Sequence, residues 1–108
     1  MPHKSLYPDI SIPETDILSY LFPANETPST EPIWIDSADT SISLSPMQAL
    51  QWVKRLALGL ERTGIEKGQV IMVYTPNHIF VPIAYLAIVS AGYSFSAGNP
   101  AYTLPGTF

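Results

Sequence analysis

Lys67-Gly68-Gln69-Val70-Ile71-Met72-Val73-Tyr74-Thr75-Pro76-Asn77-His78-Ile79 opens the stretch that decides the fold, which runs on through Ala91-Gly92 to Tyr93-Ser94-Phe95-Ser96. Val70–Tyr74 is an unbroken apolar run rich in β-branched residues, the pattern of a strand buried on both faces in a parallel sheet. Thr75-Pro76-Asn77 breaks it and supplies an N-cap at Asn77. Ile79 to Ala91 then reads as a buried helix, with Pro82 in or just after the first turn, where proline does least harm. Gly92 ends the helix and Tyr93-Ser94-Phe95-Ser96 begins a second strand. Strand, helix and strand at this spacing make a βαβ unit, expected to be parallel and right-handed.

Outward from that unit, Pro46 to Thr63 has the signals of a long amphipathic helix. Ser45 is its N-cap, Pro46 falls at the first helical position, and Gln48 stands where a capping box needs it. Positions 49, 50, 53, 56, 57 and 60 form an apolar face, with Gln48, Gln51, Arg55 and Arg62 opposite. Gly64 closes the helix. Ile33-Trp34-Ile35 and Ser41-Ile42-Ser43-Leu44 flank the turn-forming Asp36-Ser37-Ala38-Asp39 and read as a β-hairpin. Residues 1–32 carry six prolines (Pro2, Pro8, Pro13, Pro23, Pro28, Pro32) and read as an extended arm. Within the arm, Thr15 to Phe22 forms a short helix stopped by Pro23. The fold class is therefore α/β: arm, β-hairpin, long helix and one βαβ unit. It is divided as residues 1–32 for the arm and 33–108 for an incomplete α/β domain.

The whole chain has 108 residues, of which 46% are hydrophobic, so it can bury one core and is not generally disordered. Only 13% are charged, about half the usual share of roughly 25%. The net charge of −4 argues against a nucleic-acid partner. The absence of cysteine removes disulfides, thiolate metal sites and cysteine nucleophiles, and fits a reducing compartment. Residues 1–40 hold seven of the nine acids against one base, while four of the five bases lie in residues 54–67. After Lys67 no charged side chain follows. A tract of that length needs covering on most sides, by more protein or by lipid. The lipid alternative is a span from Ile79 to Phe95, near the lower length limit. Pro82, Ser90, Gly92 and Ser94 argue against it, as does the lack of a flanking base. The first residues lack the apolar core of a secretory signal, and the last ones carry no peroxisomal or retention signal.

An ordered series of residues resembles the N-terminal region of the adenylate-forming ligases, and within them the 4-coumarate–CoA ligase-like acyl-CoA synthetases. The series is Leu56-Ala57…Gly59-Leu60, Gly64…Lys67-Gly68, Val70-Ile71, Pro76-Asn77, Ala91-Gly92 and Asn99-Pro100-Ala101-Tyr102-Thr103. Tyr7-Pro8-Asp9-Ile10…Ile12-Pro13 and Ile35-Asp36…Asp39-Thr40 extend the likeness from about residue 7 to 103. The chain departs from the family's pattern at Gln69, where an acid is usual. It departs again at Leu44-Ser45-Pro46-Met47-Gln48-Ala49-Leu50, where the aromatic that usually starts the long helix is lost. Past Thr103, Leu104-Pro105-Gly106-Thr107-Phe108 replaces the family's next helix, which is expected to mark a truncation.

The resemblance implies an enzyme that joins a carboxylic acid to ATP with release of pyrophosphate, then passes the acyl group to coenzyme A. ATP, Mg²⁺ and CoA are the cofactors so implied, and a cytoplasmic or peroxisomal location. No catalytic, cofactor-binding or metal residue of the family is carried over to this sequence. None of the six glycines forms a Gly-x-Gly or Gly-Lys-Ser/Thr cluster, and Lys67 is the last lysine. The 108 residues are thus expected to be inactive by themselves and to bind no cofactor. Their partners are expected to be more of the same domain or a full-length ligase. The alternatives are a short non-enzymatic chain that binds a partner through open sheet edges, and a small membrane-associated protein. His78 is the single weak candidate on the substrate side, because it follows the carboxyl end of a parallel strand, where α/β proteins bind ligands. Its blander reading is an exposed first-turn residue. His3, in the arm, is too remote to complete a metal site with it. Trp34, Trp52 and Tyr74 read as packing residues. Thr103 reads as the cap of a helix beyond the chain.

Overall fold

The computed structural model describes residues 5–99; His3, Thr103 and the Asn99–Thr103 motif beyond Asn99 lie outside them. Along the chain come α1 (Ile17–Leu21), β1 (Trp34–Ile35), β2 (Ser43–Leu44), α2 (Pro46–Arg62), β3 (Val70–Tyr74), α3 (Val81–Ser90) and β4 (Ser94–Gly98). β1 and β2 pair antiparallel with Trp34 opposite Leu44. β3 and β4 pair parallel, with Val70 opposite Ser94 and Tyr74 opposite Gly98.

Local chemistry sets the boundaries. The Ser45 hydroxyl accepts from the Gln48 N–H at 3.1 Å, and the Ser45 N–H donates to Gln48 Oε1 at 2.9 Å, completing the capping box. Ser45 is buried, so these bonds also satisfy polar groups removed from water. Gly64 follows α2 at φ +81°, the left-handed conformation that a helix-ending glycine adopts at least cost. In the hairpin, Asp36 Oδ1 accepts from the N–H groups of Ala38 and Asp39, and Asp39 Oδ1 accepts from the Ser41 N–H and hydroxyl. These short side-chain bonds build the turn that the Asp36–Asp39 cluster foretells. α1 is capped in the same way, with the Ser19 N–H and hydroxyl donating to the Asp16 carboxylate at 2.8 and 2.7 Å.

α3 is the centre of the packing. Ile83, Leu86 and Ala87 on one side bury against Leu44, Ala49 and Val53, with Leu18, Phe22 and Trp34 closing the edge. Ile88 and Ala91 belong to a second cluster with Tyr93, flanked by Ile71, Val73 and Phe95 of the sheet and by Ala57 and Leu60 of α2. A helix covered on both sides must be apolar all round, which is why α3 reads as a hydrophobic run. It ends at Ser90, and residues 94–98 form a strand, so the tract from 79 to 95 is not one helix. Among the described residues, no helix is long and apolar enough to cross a membrane.

One expectation is corrected. β3 is not buried on both faces: Ile71 and Val73 turn toward α3, whereas Val70, Met72 and Tyr74 are 65%, 42% and 49% exposed. Opposite them on β4 stand Ser94, Ser96 and Gly98. Among the described residues, α3 covers one side of the sheet and nothing covers the other.

At the amino edge of the sheet, Lys67 joins three elements. Its ammonium donates to Glu61 Oε1 at 2.8 Å and to the Ala91 carbonyl that ends α3, and it lies 5.0 Å from the Tyr93 ring centre. The Tyr93 hydroxyl donates to the Ile65 carbonyl at 2.9 Å, and the Gly68 N–H donates to the Gly92 carbonyl at 2.8 Å.

Two outcomes follow from these contacts. Ser45→Ala is expected to lower stability by about 1 kcal/mol, read as an earlier urea midpoint with an unchanged slope. Hydrogen bonds from Ser19 and Ser41 hold the carboxyls of Asp16 and Asp39 below their ordinary pKa. A depressed pKa stabilises the fold above the unfolded value and ceases to do so as pH falls through the folded one. Thermal stability should therefore drop as pH goes below about 4, and Asp16→Asn with Asp39→Asn should flatten that drop.

Candidate functional site

Both parallel strands deliver their carboxyl ends to the same side of the molecule, and the cleft there is the natural candidate. β3 passes from Tyr74 into Thr75-Pro76-Asn77, and β4 ends at Gly98 before Asn99. Together with Val73, Val81, Phe95 and Ala97 these residues line a cleft of about 470 Å³. Its lining is uncharged and combines apolar side chains with the polar ones of Thr75, Asn77 and Asn99, so about half of its surface is polar. Phe95 is held edge-on by Tyr85, with ring centres 5.2 Å apart.

Gly98 is where the cleft meets the open face of the sheet. A Cβ built on it would stand 2.7 Å from Tyr74 Cδ2 and 3.2 Å from Met72 Sδ. The Tyr74 ring therefore lies over a position that only glycine fills without displacement. Sequence alone shows an aromatic at 74 and a glycine at 98. Their pairing appears only once the parallel register is known.

His78 does not line this cleft. It faces the neighbouring groove of about 270 Å³, which it shares with Trp34, Ile35, Asp36 and Ser37 of the hairpin and with Asn77, Ile79 and Pro82. Asn77 lines both depressions. The Phe80 N–H donates to His78 Nδ1 at 3.1 Å, and the two rings stack with centres 5.7 Å apart. In the neutral imidazole this acceptor role leaves the proton on Nε2. The helix start is also corrected. α3 begins at Val81 behind Phe80, with no side chain capping it, so Asn77 is not its N-cap. The proline at position 82 accounts for the shift, since the preceding turn is closed by the Val81 N–H to the His78 carbonyl at 3.0 Å. The signal for the His78 bond was present in the sequence, as a side-chain acceptor two residues before a backbone donor in a Pro-Asn break.

The residues present do not fit a magnesium nucleotide. A triphosphate needs a cation and a cradle of backbone N–H groups, and the cleft lining has neither a lysine nor an arginine. Lys67 sits at the opposite edge, engaged with Glu61 and Ala91. Among the described residues, no group of three histidines, cysteines or carboxylates converges on a metal position. What the cleft offers is an uncharged wall whose surface is about half polar.

Gly98→Ala should destabilise by about 1–3 kcal/mol through overpacking, and by less when Tyr74→Ala is also present, as a double-mutant cycle in urea would read. His78→Ala should lose about 0.5–1.5 kcal/mol with its one backbone bond, by the same measurement.

Comparison with known proteins matches residues 23–106 to the family model described as AMP-binding enzyme. An acyl-CoA ligase, azaF, of Aspergillus niger is 36% identical over 94 residues, which is 87% of this chain and 18% of that protein. A phenylacetyl-CoA ligase, epaB, of Aspergillus niger is 36% identical over 87% of this chain and 17% of its own length. The 4-coumarate–CoA ligase-like 1 protein of Arabidopsis thaliana is 35% identical over 90% of this chain and 18% of its own. The chain thus spans less than a fifth of the length of these relatives.

Proposed function

This chain belongs to the AMP-binding enzyme family, and from that premise we propose that its 108 residues are the N-terminal scaffold of an ATP-dependent acyl- or aryl-CoA ligase. The observation that carries the reading is the ordered match over residues 23–106, which spans the hairpin, α2 and the whole βαβ unit. The family's reaction would convert a carboxylic acid and ATP into an acyl adenylate and pyrophosphate, and the adenylate and CoA into a thioester and AMP. In that enzyme these residues would supply a rigid wall beside the reaction rather than its charged groups. Their carboxyl-edge cleft is lined by uncharged residues, and its hydrogen-bonding groups are neutral. ATP, Mg²⁺ and CoA would be held by other parts of such an enzyme, a reading supported by the lack of lysine and arginine in the described cleft lining.

Alone, the 108 residues would carry out neither half of the reaction. They would instead seek a cover for the open face formed by Val70, Met72 and Tyr74. The remainder of such a domain, or a longer ligase, is the partner that this face suits best, because the small residues Ser94, Ser96 and Gly98 beside it leave room for another layer.

The test compares two proteins in a pyrophosphate-release assay with ATP, Mg²⁺ and a panel of aliphatic and aromatic acids. The 108-residue chain should release no more than the blank. Added to the azaF ligase lacking its matching segment, it should restore acid-dependent release. Turnover by the chain alone would contradict the scaffold reading. Failure to restore activity, with both pieces soluble, would count against the partner.

A further inference from the structure

Charge and apolar surface are segregated along this chain in a complementary way. The arm from Ser5 to Asp16 contains Asp9 and Glu14, ends on the α1 cap Asp16, and holds no basic residue. Its Leu6, Tyr7, Ile10 and Ile12 are 79–101% exposed, although residues 10–15 curve beside Ile17 and Tyr20 of α1. Pro8 and Pro13 hold it extended and lower the entropy lost when it is bound.

The complementary surface is a groove between α2 and α3 of about 360 Å³, lined by Trp52, Arg55, Leu56, Phe80, Ile83 and Ala84. Trp52 and Phe80 meet edge to face with centres 5.4 Å apart, and the Arg55 guanidinium lies 5.4 Å from the Trp52 ring centre. One and two turns along the same face of α2 come Leu58, which is 48% exposed, and Arg62. An aromatic-walled groove with Arg55 in its lining and Arg62 two turns further along the helix is what an extended, proline-bearing, acidic and apolar segment fits.

We propose that the arm of one copy of this chain lies in the α2–α3 groove of a second copy, forming a reciprocal dimer. Arg55 and Arg62 would take Asp9 and Glu14, while Ile10 and Ile12 would lie against Trp52, Leu56 and Phe80. A two-fold exchange makes the contact twice, which is how a narrow groove reaches the roughly 1,200 Å² of a stable interface. Within one molecule the arm and the groove both remain open, so a partner copy satisfies two surfaces at once.

A charge-swap experiment on the full chain, read by sedimentation velocity, tests it. Wild type should form a dimer at about 50 µM in low salt and shift toward monomer in about 0.5 M salt. Arg55→Glu with Arg62→Glu, and separately Asp9→Lys with Glu14→Lys, should each weaken the dimer about tenfold or more. Mixing the two variants pairs every acidic groove with a basic arm and every basic groove with an acidic one, so the dimer should return. An arm that folds back on its own groove would not respond to mixing. Deleting residues 1–13 should give a monomer with unchanged far-ultraviolet circular dichroism. A wild type that is monomeric at about 200 µM, salt-sensitive dimerisation that survives arm deletion, or a mixture that stays dissociated would each overturn the proposal.

Discussion

The contact between α2 and α3 is the interaction on which the rest of the structure depends. Ala49, Val53 and Ala87 are fully excluded from solvent there, and Ile83 is 2% exposed. Small side chains at facing positions let the two helix backbones approach closely, and Ile83 fills the space between them. Burying a side chain the size of Val53 or Ile83 is worth about 1.5–3 kcal/mol, and few other residues in the described chain are so completely enclosed. The hairpin joins this core through Leu44, the short helix through Leu18 and Phe22, and the sheet through the opposite side of α3. Loosening α3 would therefore release every other element.

Most of this architecture was legible in the sequence because each element carries its own punctuation. Ser45, Pro46 and Gln48 announce α2, Gly64 and Gly92 close helices with positive φ, and Asp36 and Asp39 write the hairpin turn in side-chain hydrogen bonds. The parallel pairing follows from the strand–helix–strand spacing. Burial was less legible. An apolar run says that a strand prefers cover on both faces, but not which residues supply it, and Val70, Met72 and Tyr74 face outward among the described residues. α3 starts later than the sequence suggests, although Asn77 is a good cap by type. Val81 begins the helix only because the turn before it closes on the His78 carbonyl.

The site was legible in position rather than in detail. Parallel strands bring their carboxyl ends together after Tyr74 and Gly98, and residues 75–77 and Asn99 line a cleft there. His78 shares that loop but turns toward the hairpin, a consequence of its bond to the Phe80 N–H that periodicity does not reveal. The two edges of the sheet differ in chemistry. The amino edge holds a lysine engaged with a carboxylate and a helix-ending carbonyl, and the carboxyl edge holds amides and a hydroxyl among apolar walls.

The bonds from Lys67 to Ala91 and from Tyr93 to Ile65 span 24 and 28 residues of chain. During synthesis at about 5–20 residues per second, the segment that includes β3 and α3 must leave the ribosome before either bond can close. For a second or more, the strand Val70–Tyr74 has no partner strand and α2 has no helix to cover Val53. The nascent chain therefore presents this apolar surface at a defined point of translation. The strand gains its partner only after Ser94–Gly98 has emerged as well.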